Sequence, residues 1–328
     1  MSQTIKSYRD LFVELTNSDD EITKQIIEEL KLEYDLNHEH DFKLIENNLT
    51  QGRELKCPKC GSRNYVHNGF TKNGTRRYKC KCGKVFSAST NSLFLASKVN
   101  LKAWFSFIEG IISETSIQAA CLKAKISLPT GYYWIKKIFS VLNNFQDLII
   151  LDGKIYLDET YIPVETSKEK TKHNRKMRGL SRNKICVVLI INDEKLVAIK
   201  CGFGKPSANK VYDTSWRHIK EGSTLIHDEE KAHSYLIEQL DLNSIAYNAA
   251  GSKVLKKIAE QQLKPINDEC RELKYFLSKH KGLNKDNLQD YLNLYSFIKN
   301  CKKKNSNLYF ATNLLIKLLF LSDKKLKF

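Results

Sequence analysis

At 328 residues with 41% hydrophobic content, the chain is long enough for two or three domains and a well-buried core, which excludes a disordered or fibrous protein. Its net charge of +17 is unevenly placed: residues 1–50 hold 5 Lys/Arg against 12 Asp/Glu, residues 51–141 hold 16 against 3, and residues 142–328 hold 33 against 22. Nine cysteines without an apolar signal core in Met1–Asp10 argue against a disulfide framework, and the apolar run Leu314–Leu321 is too short to span a bilayer, so a cytoplasmic protein with no membrane partner is expected.

Residues 1–50 read as an acidic N-terminal helical segment, with Ile5, Tyr8, Leu11, Phe12 and Leu15 at helical spacing and a break at Asn17–Asp20. Residues 51–92 contain Cys57-Pro-Lys-Cys60-Gly and Cys80-Lys-Cys82-Gly. Two such knuckles on hairpins direct four thiolates at one tetrahedral Zn²⁺, and a glycine after each pair permits the turn that aims backbone N–H groups at sulfur. The second knuckle has one residue between its cysteines where two are usual, which tightens that loop. The site is expected to be structural, since no open coordination position or nearby base suggests catalysis. Around it lie Arg63, Lys72, Arg76, Arg77, Lys79, Lys81 and Lys84, interleaved with aromatics. That surface suits contact with a nucleic-acid backbone, Arg76, Arg77 and Lys79 above all, although a solvated charged face has the same composition.

Residues 98–145 read as three helices over 101–113, 116–124 and 130–143. The last two are separated by the turn Lys125-Ile-Ser-Leu-Pro129, which is helix-turn-helix spacing. A recognition helix starting near Leu128 presents Thr130, Tyr133, Lys136 and Lys137 as candidate DNA contacts.

From residue 154 the pattern changes to short strands: 154–158, 184–191 and 196–201, with Asn192–Lys195 as a hairpin turn. Helices fit 208–220, 230–240 and 267–280, and strands fit 223–227 and 244–248. The order β-β-β-α-β-α-β-α predicts a mixed α/β sheet with helices on its faces. Thr166–Arg182 is basic and aperiodic, which fits a loop. Asp158 and Asp228 each follow an apolar strand, so both can stand at one sheet edge and bridge Mg²⁺ ions spaced for in-line phosphoryl displacement, although turn-forming aspartates share that position.

Taken in order, the ribbon, the helical block, Leu157-Asp-Glu-Thr-Tyr161, Arg178-Gly-Leu-Ser-Arg182, Ile226-His-Asp-Glu229, Asn267–Leu277 and Gly282–Leu292 resemble zinc-ribbon insertion-sequence transposases with an RNase H-like DDE-type core. The resemblance runs from about Cys57 to Phe297 and implies a catalytic domain over 150–300 and a basic C-terminal tail or helix over 301–328. It also implies a third metal ligand at Asn267, with Lys274 seven residues on and facing the same way. Asp268, Glu269 and Glu272 are rival ligands, Asn267 also suits a helix N-cap, and Glu159 is expected behind the metal ligands. The implied activity is cleavage and joining of double-stranded DNA, at element ends and target, with Mg²⁺ or Mn²⁺ at Asp158, Asp228 and Asn267, by a dimer or larger assembly. The competing function is a DNA-binding regulator of the same architecture with an inactive core.

Overall fold

The computed structural model describes residues 55–70, 76–87, 90, 93, 101–163, 184–248, 252–280, 282–284, 286–303 and 308–321. The acidic N-terminal segment, Lys72, the basic loop 166–182 and the lysines at 304 and beyond residue 321 lie outside them. Two compact units are present, one grouping the chain up to Val141 with Leu308–Phe328, the other formed by Leu142–Asn307.

In the first unit, β1 (Tyr65–Phe70), β2 (Arg76–Cys80) and β3 (Val85–Ser87) form an antiparallel sheet in that order. Its small core is Cys57, Cys80 and Phe86, with Tyr65 and Tyr78 packed against it. The rings of Tyr65 and Tyr78 meet edge to face at 5.1 Å. So few apolar side chains bury little area, so a ribbon of this size needs a staple.

The helices of this unit are α1 (Leu101–Ile112), α2 (Ile117–Ala124), α3 (Leu128–Leu142) and, after the second unit, α9 (Leu308–Leu321). Ser116 caps α2 by accepting from the Ala119 N–H, and Lys125 ends it in a left-handed conformation. The turn to α3 is thus Lys125–Ser127. A Cβ at Gly131 would lie 2.1 Å from Cys121 Sγ, so α2 and α3 approach as closely as they do only because residue 131 has no side chain. Trp104 of α1 stacks on Trp134 of α3 at 3.7 Å, and Phe107 meets Trp134 edge on. Helix α9 packs against α1 and buries Ala311, Leu315, Ile316, Leu318 and Leu319. The apolar run near the carboxyl end is therefore core material, and the described part of the expected tail is a packed helix.

The second unit is built on a five-stranded sheet of β4 (Lys154–Pro163), β5 (Lys184–Ile191), β6 (Leu196–Phe203), β7 (Thr224–Asp228) and β8 (Asn243–Tyr247), in spatial order β6-β5-β4-β7-β8. Strand β5 pairs antiparallel with both β4 and β6, while β7 and β8 run parallel to β4. Three antiparallel strands followed by two parallel ones, with β4 central, is the RNase H-like arrangement. Helix α4 (Ala208–Ser215) crosses between β6 and β7, α5 (Ser234–Gln239) between β7 and β8, and α6 (Lys253–Gln262), α7 (Lys264–Ser278) and α8 (Leu288–Lys303) complete the unit. Asn192 shapes the β5–β6 turn by accepting from the N–H groups of Glu194 and Lys195.

Strand β6 is a sheet edge, and its backbone is satisfied by side-chain amides. Gln146 exchanges two hydrogen bonds with Ala198 (2.8 and 2.7 Å), Asn300 exchanges two with Leu196 (2.9 and 2.8 Å), and Gln289 accepts from the Lys200 N–H. Three amides imitate a neighbouring strand and close an edge that would otherwise invite pairing with another chain. Asn300 and Gln289 come from α8, an element the sequence periodicity did not reveal.

Candidate active site

Asp158 and Asp228 lie on neighbouring strands. The parallel ladder between β4 and β7 ends at Tyr156↔Ile226, and each aspartate stands two residues further on, hence on the same face of the sheet. Asp228 ends β7 as the sequence suggests. Asp158 does not end its strand: β4 continues to Pro163, because Glu159–Pro163 keep pairing with β5. Asp158 feels the charge of Asp228. Burial, then the charges of Asp228 and Glu159, push the Asp158 carboxyl from its ordinary 3.8 up to about 6. Burial raises Asp228 as well, against the nearby His233.

Helix α7 packs across β4 and β5 and completes this face. Its Cys270 thiol donates to Asp158 Oδ2 at 3.6 Å, which identifies the side of the helix that meets the carboxylates. Asn267 and Lys274 stand three residues before and four after Cys270, so they share that side. The charge of Lys274 reaches Cys270, whose thiol is driven up by burial and by Asp158. Helix α7 begins at Lys264, with the Asn267 N–H bonded to Leu263 O, so Asn267 is an interior helical residue and not an N-cap. The rival carboxylates are engaged elsewhere. Asp268 pairs with Lys264 and, at 3.1 Å, with Arg271, Glu269 pairs with Lys299 and Tyr295, and Glu272 pairs with Lys299. Cys270 was overlooked in the sequence because nothing in its spacing distinguishes it from a core thiol.

The opposite face of the same strand ends carries a second group of polar side chains. Glu159 accepts from His233 Nε2 at 3.1 Å, His233 Nδ1 meets His227 Nδ1 at 2.9 Å, and His227 Nε2 meets Ser244 Oγ at 2.9 Å. Burial disfavours the charged form of His233, but Glu159, with Asp228 and Asp158 behind it, more than offsets this and raises its pKa. Burial and the charge of His233 lower His227 to about 4. Glu159 thus lies behind the aspartates and turned away from α7.

Residues 150–300 match the ISXO2-like transposase domain. The matched stretch contains the whole five-stranded sheet, α4 to α7 and most of α8. An uncharacterized protein in transposable element ISH50 of Halobacterium salinarum is 27% identical over 127 residues, which cover 38% of this chain and 42% of that protein. The chain therefore spans less than half the length of this relative. Among solved structures, the catalytic domain of the Mos1 mariner transposase gives a TM-score of 0.29 at 10% identity, covering 56% of this chain and 86% of that one. The Mos1 mariner paired end complex with Mn gives 0.28 at 8% identity, covering 65% and 74%. The fold assignment rests on the strand order above and not on these scores.

The ribbon cysteines converge. Cys57 Sγ lies 3.5 Å from Cys82 Sγ, Cys60 Sγ lies 3.5 Å from Cys80 Sγ, and all four sulfurs fall within 4.8 Å of one another. A tetrahedron with metal–sulfur bonds of about 2.3 Å needs sulfurs about 3.8 Å apart, so the four thiols could hold a metal ion despite the short second knuckle. Gly61 and Gly83 take φ of 70° and 83°, the left-handed conformation each knuckle requires. Although burial raises the Cys57 thiol, the N–H groups of Cys60 and Lys59 outweigh it and lower it to about 6.

The seven candidate DNA contacts fare unequally. Arg76, Arg77, Lys79, Tyr133 and Lys136 are exposed, and Arg76 stacks over Phe70. Thr130 is half-buried and bonded to Ser127 Oγ at the start of α3. Lys137 is a correction. It is 3% exposed, donates to Leu93 O, and lies over the rings of Trp104 and Tyr133, with desolvation lowering its pKa to about 8. Helical periodicity places residue 137 on the side of the buried Trp134 and Val141, so its aliphatic stem is packed and its amine is spent internally.

Among the described residues no helix is long and apolar enough to cross a membrane.

Proposed function

We propose that the protein is an insertion-sequence transposase that binds element ends through its ribbon and helical block and cleaves and joins DNA at the Asp158–Asp228 face. The supporting observation is two buried carboxylates on one sheet face, both with raised pKa and Asp158 raised in part by the charge of Asp228, with α7 packed across them. Such a pair fits divalent cations, because a cation between like charges relieves the repulsion that otherwise drives protonation. Asp158, Asp228 and Asn267 would hold Mg²⁺ or Mn²⁺, which supplies an activated oxygen nucleophile and charge neutralisation for phosphoryl transfer. The protein's own part is positioning: the sheet fixes the two carboxylates, α7 delivers a neutral amide oxygen, and Lys274 offers a cation to a DNA phosphate. The four cysteines hold structural Zn²⁺, and a dimer or larger assembly holds two element ends together.

The test is a strand-transfer assay with element-end DNA and Mg²⁺ or Mn²⁺. Joined products are expected from the wild type, with Asp228→Ala abolishing joining while retaining end binding. Full joining by Asp158→Ala and Asp228→Ala rules out the assignment. End binding without any cleavage by the wild type favours a DNA-binding regulator.

A further inference from the structure

We infer that Glu159, His233 and His227 form a positioning relay that fixes the spacing of Asp158 and Asp228 from behind the sheet, without themselves binding metal or DNA. This rests on the reading of the two aspartates as a cation-holding pair.

The backbone leaves the spacing of Asp158 and Asp228 unfixed. The β4–β7 ladder stops at Tyr156↔Ile226, so no ladder hydrogen bond ties Asp158 to Asp228, and β7 ends at Asp228 itself. Asp158 still pairs with β5 and Asp228 with β8, but two like charges where β4 and β7 no longer pair with each other will separate unless something joins those two strands. Glu159 follows Asp158 and His227 precedes Asp228. Strand alternation therefore turns both away from the carboxylate face. His233, fully buried in the single turn Lys231–His233, joins them, bonding Glu159 with one ring nitrogen and His227 with the other. His227 then reaches Ser244 on β8. One chain of hydrogen bonds thus ties β4, β7 and β8 together at the level where the main-chain ladder of β4 and β7 has ended.

The chemistry of the donors supports a relay over a metal site. His227, Asp228 and His233 lie within 4.8 Å of one another, a spacing that a cation can also use. A carboxylate only accepts, so His233 Nε2 carries a hydrogen. The contact of 2.9 Å between the two Nδ1 atoms means that one of them donates to the other, which occupies the lone pair a metal would need. Asp228 Oδ1 is 3.9 Å from His233 Nδ1, too far for a hydrogen bond, and accepts from the Glu230 N–H instead. Removing an outer partner of this kind typically costs ten- to a hundredfold in metal affinity.

The experiment titrates Mn²⁺ into the zinc-loaded full-length protein, followed by electron paramagnetic resonance, with melting temperature recorded for each variant. Glu159→Asp keeps the charge but withdraws the acceptor from His233, and a loss of about tenfold in Mn²⁺ affinity is expected. Glu159→Gln keeps an oxygen acceptor at full reach and should bind more tightly than Glu159→Asp. Adding His233→Ala to Glu159→Asp should cost little more, since the two act as one unit. Wild-type affinity in Glu159→Asp, with Asp228→Ala still defective, overturns the relay and leaves the aspartate pair standing. Equal or greater loss in the Gln variant also overturns it, assigning Glu159 a role that needs its charge, through electrostatics or direct ligation. Wild-type binding by both Asp158→Ala and Asp228→Ala removes the aspartate pair, and the relay with it.

Discussion

Replacing Asp158 with Asn should make the metal-free protein more stable while depriving it of its cation. Asn is nearly isosteric and its Oδ1 can still accept from the Glu159 N–H; besides the charge, the change removes the acceptor of the weak Cys270 thiol bond, where the sulfur can instead accept from the new amide N–H. The structure gives the magnitude. Moving the carboxyl from 3.8 to about 6 is a destabilisation of the ionised form by about two units, or about 3 kcal/mol at 1.36 kcal/mol per unit. Part of that is shared with Asp228 and Glu159, so about 1–3 kcal/mol is the expected gain at pH 8. At about 2–4 °C per kcal/mol for a domain of this size, melting should rise by several degrees. The sign follows from linkage. The folded state binds the Asp158 proton more tightly than the unfolded chain, so the wild type loses stability as pH rises from about 4 through about 6. The Asn variant carries no such proton, so its advantage should grow across that window and vanish below it. Thermal unfolding in EDTA between pH 4.5 and 8 measures this, and added Mg²⁺ should stabilise the wild type but not the variant. An advantage absent at pH 8, or equally large at pH 4.5, refutes the carboxylate-repulsion argument.

Two further outcomes are expected. Purified protein should contain one zinc per chain, and Cys57→Ser should lose it along with ribbon stability and end recognition, as read by elemental analysis and melting. Carefully purified protein without zinc would contradict the four-thiolate site. In DNA binding, Lys136→Ala should reduce the log–log salt slope by about one, the value for a lost phosphate contact, whereas Lys137→Met should leave the slope unchanged. A reduced slope in Lys137→Met would mean that its amine leaves Leu93 O to meet DNA.

The primary sequence is legible wherever local chemistry sets the outcome. The cysteine knuckles declare themselves because ligand spacing and the following glycines are short-range requirements, and Gly61 and Gly83 adopt the conformation that need dictates. The five strands and the short turn between α2 and α3 follow from apolar periodicity and from Ser116 as a cap, with ends shifted by a few residues. Asp158 and Asp228 stand out because a carboxylate beside an apolar strand runs against burial.

Only the tertiary structure decides what depends on partners distant in sequence. Lys137 reads as a DNA contact from its charge and its place beside Lys136, yet Leu93, Trp104 and Tyr133 claim it. Helix α8 hides its purpose because its buried face carries Gln289 and Asn300, polar residues that are apolar-equivalent only once the unpaired edge of β6 is laid against them. Cys270 and His233 carry no local signal. Their roles come from Asp158, 112 residues away, and Glu159, 74 residues away. Spacing along a chain specifies which face a side chain takes, but which neighbour meets it there is fixed by packing across the fold.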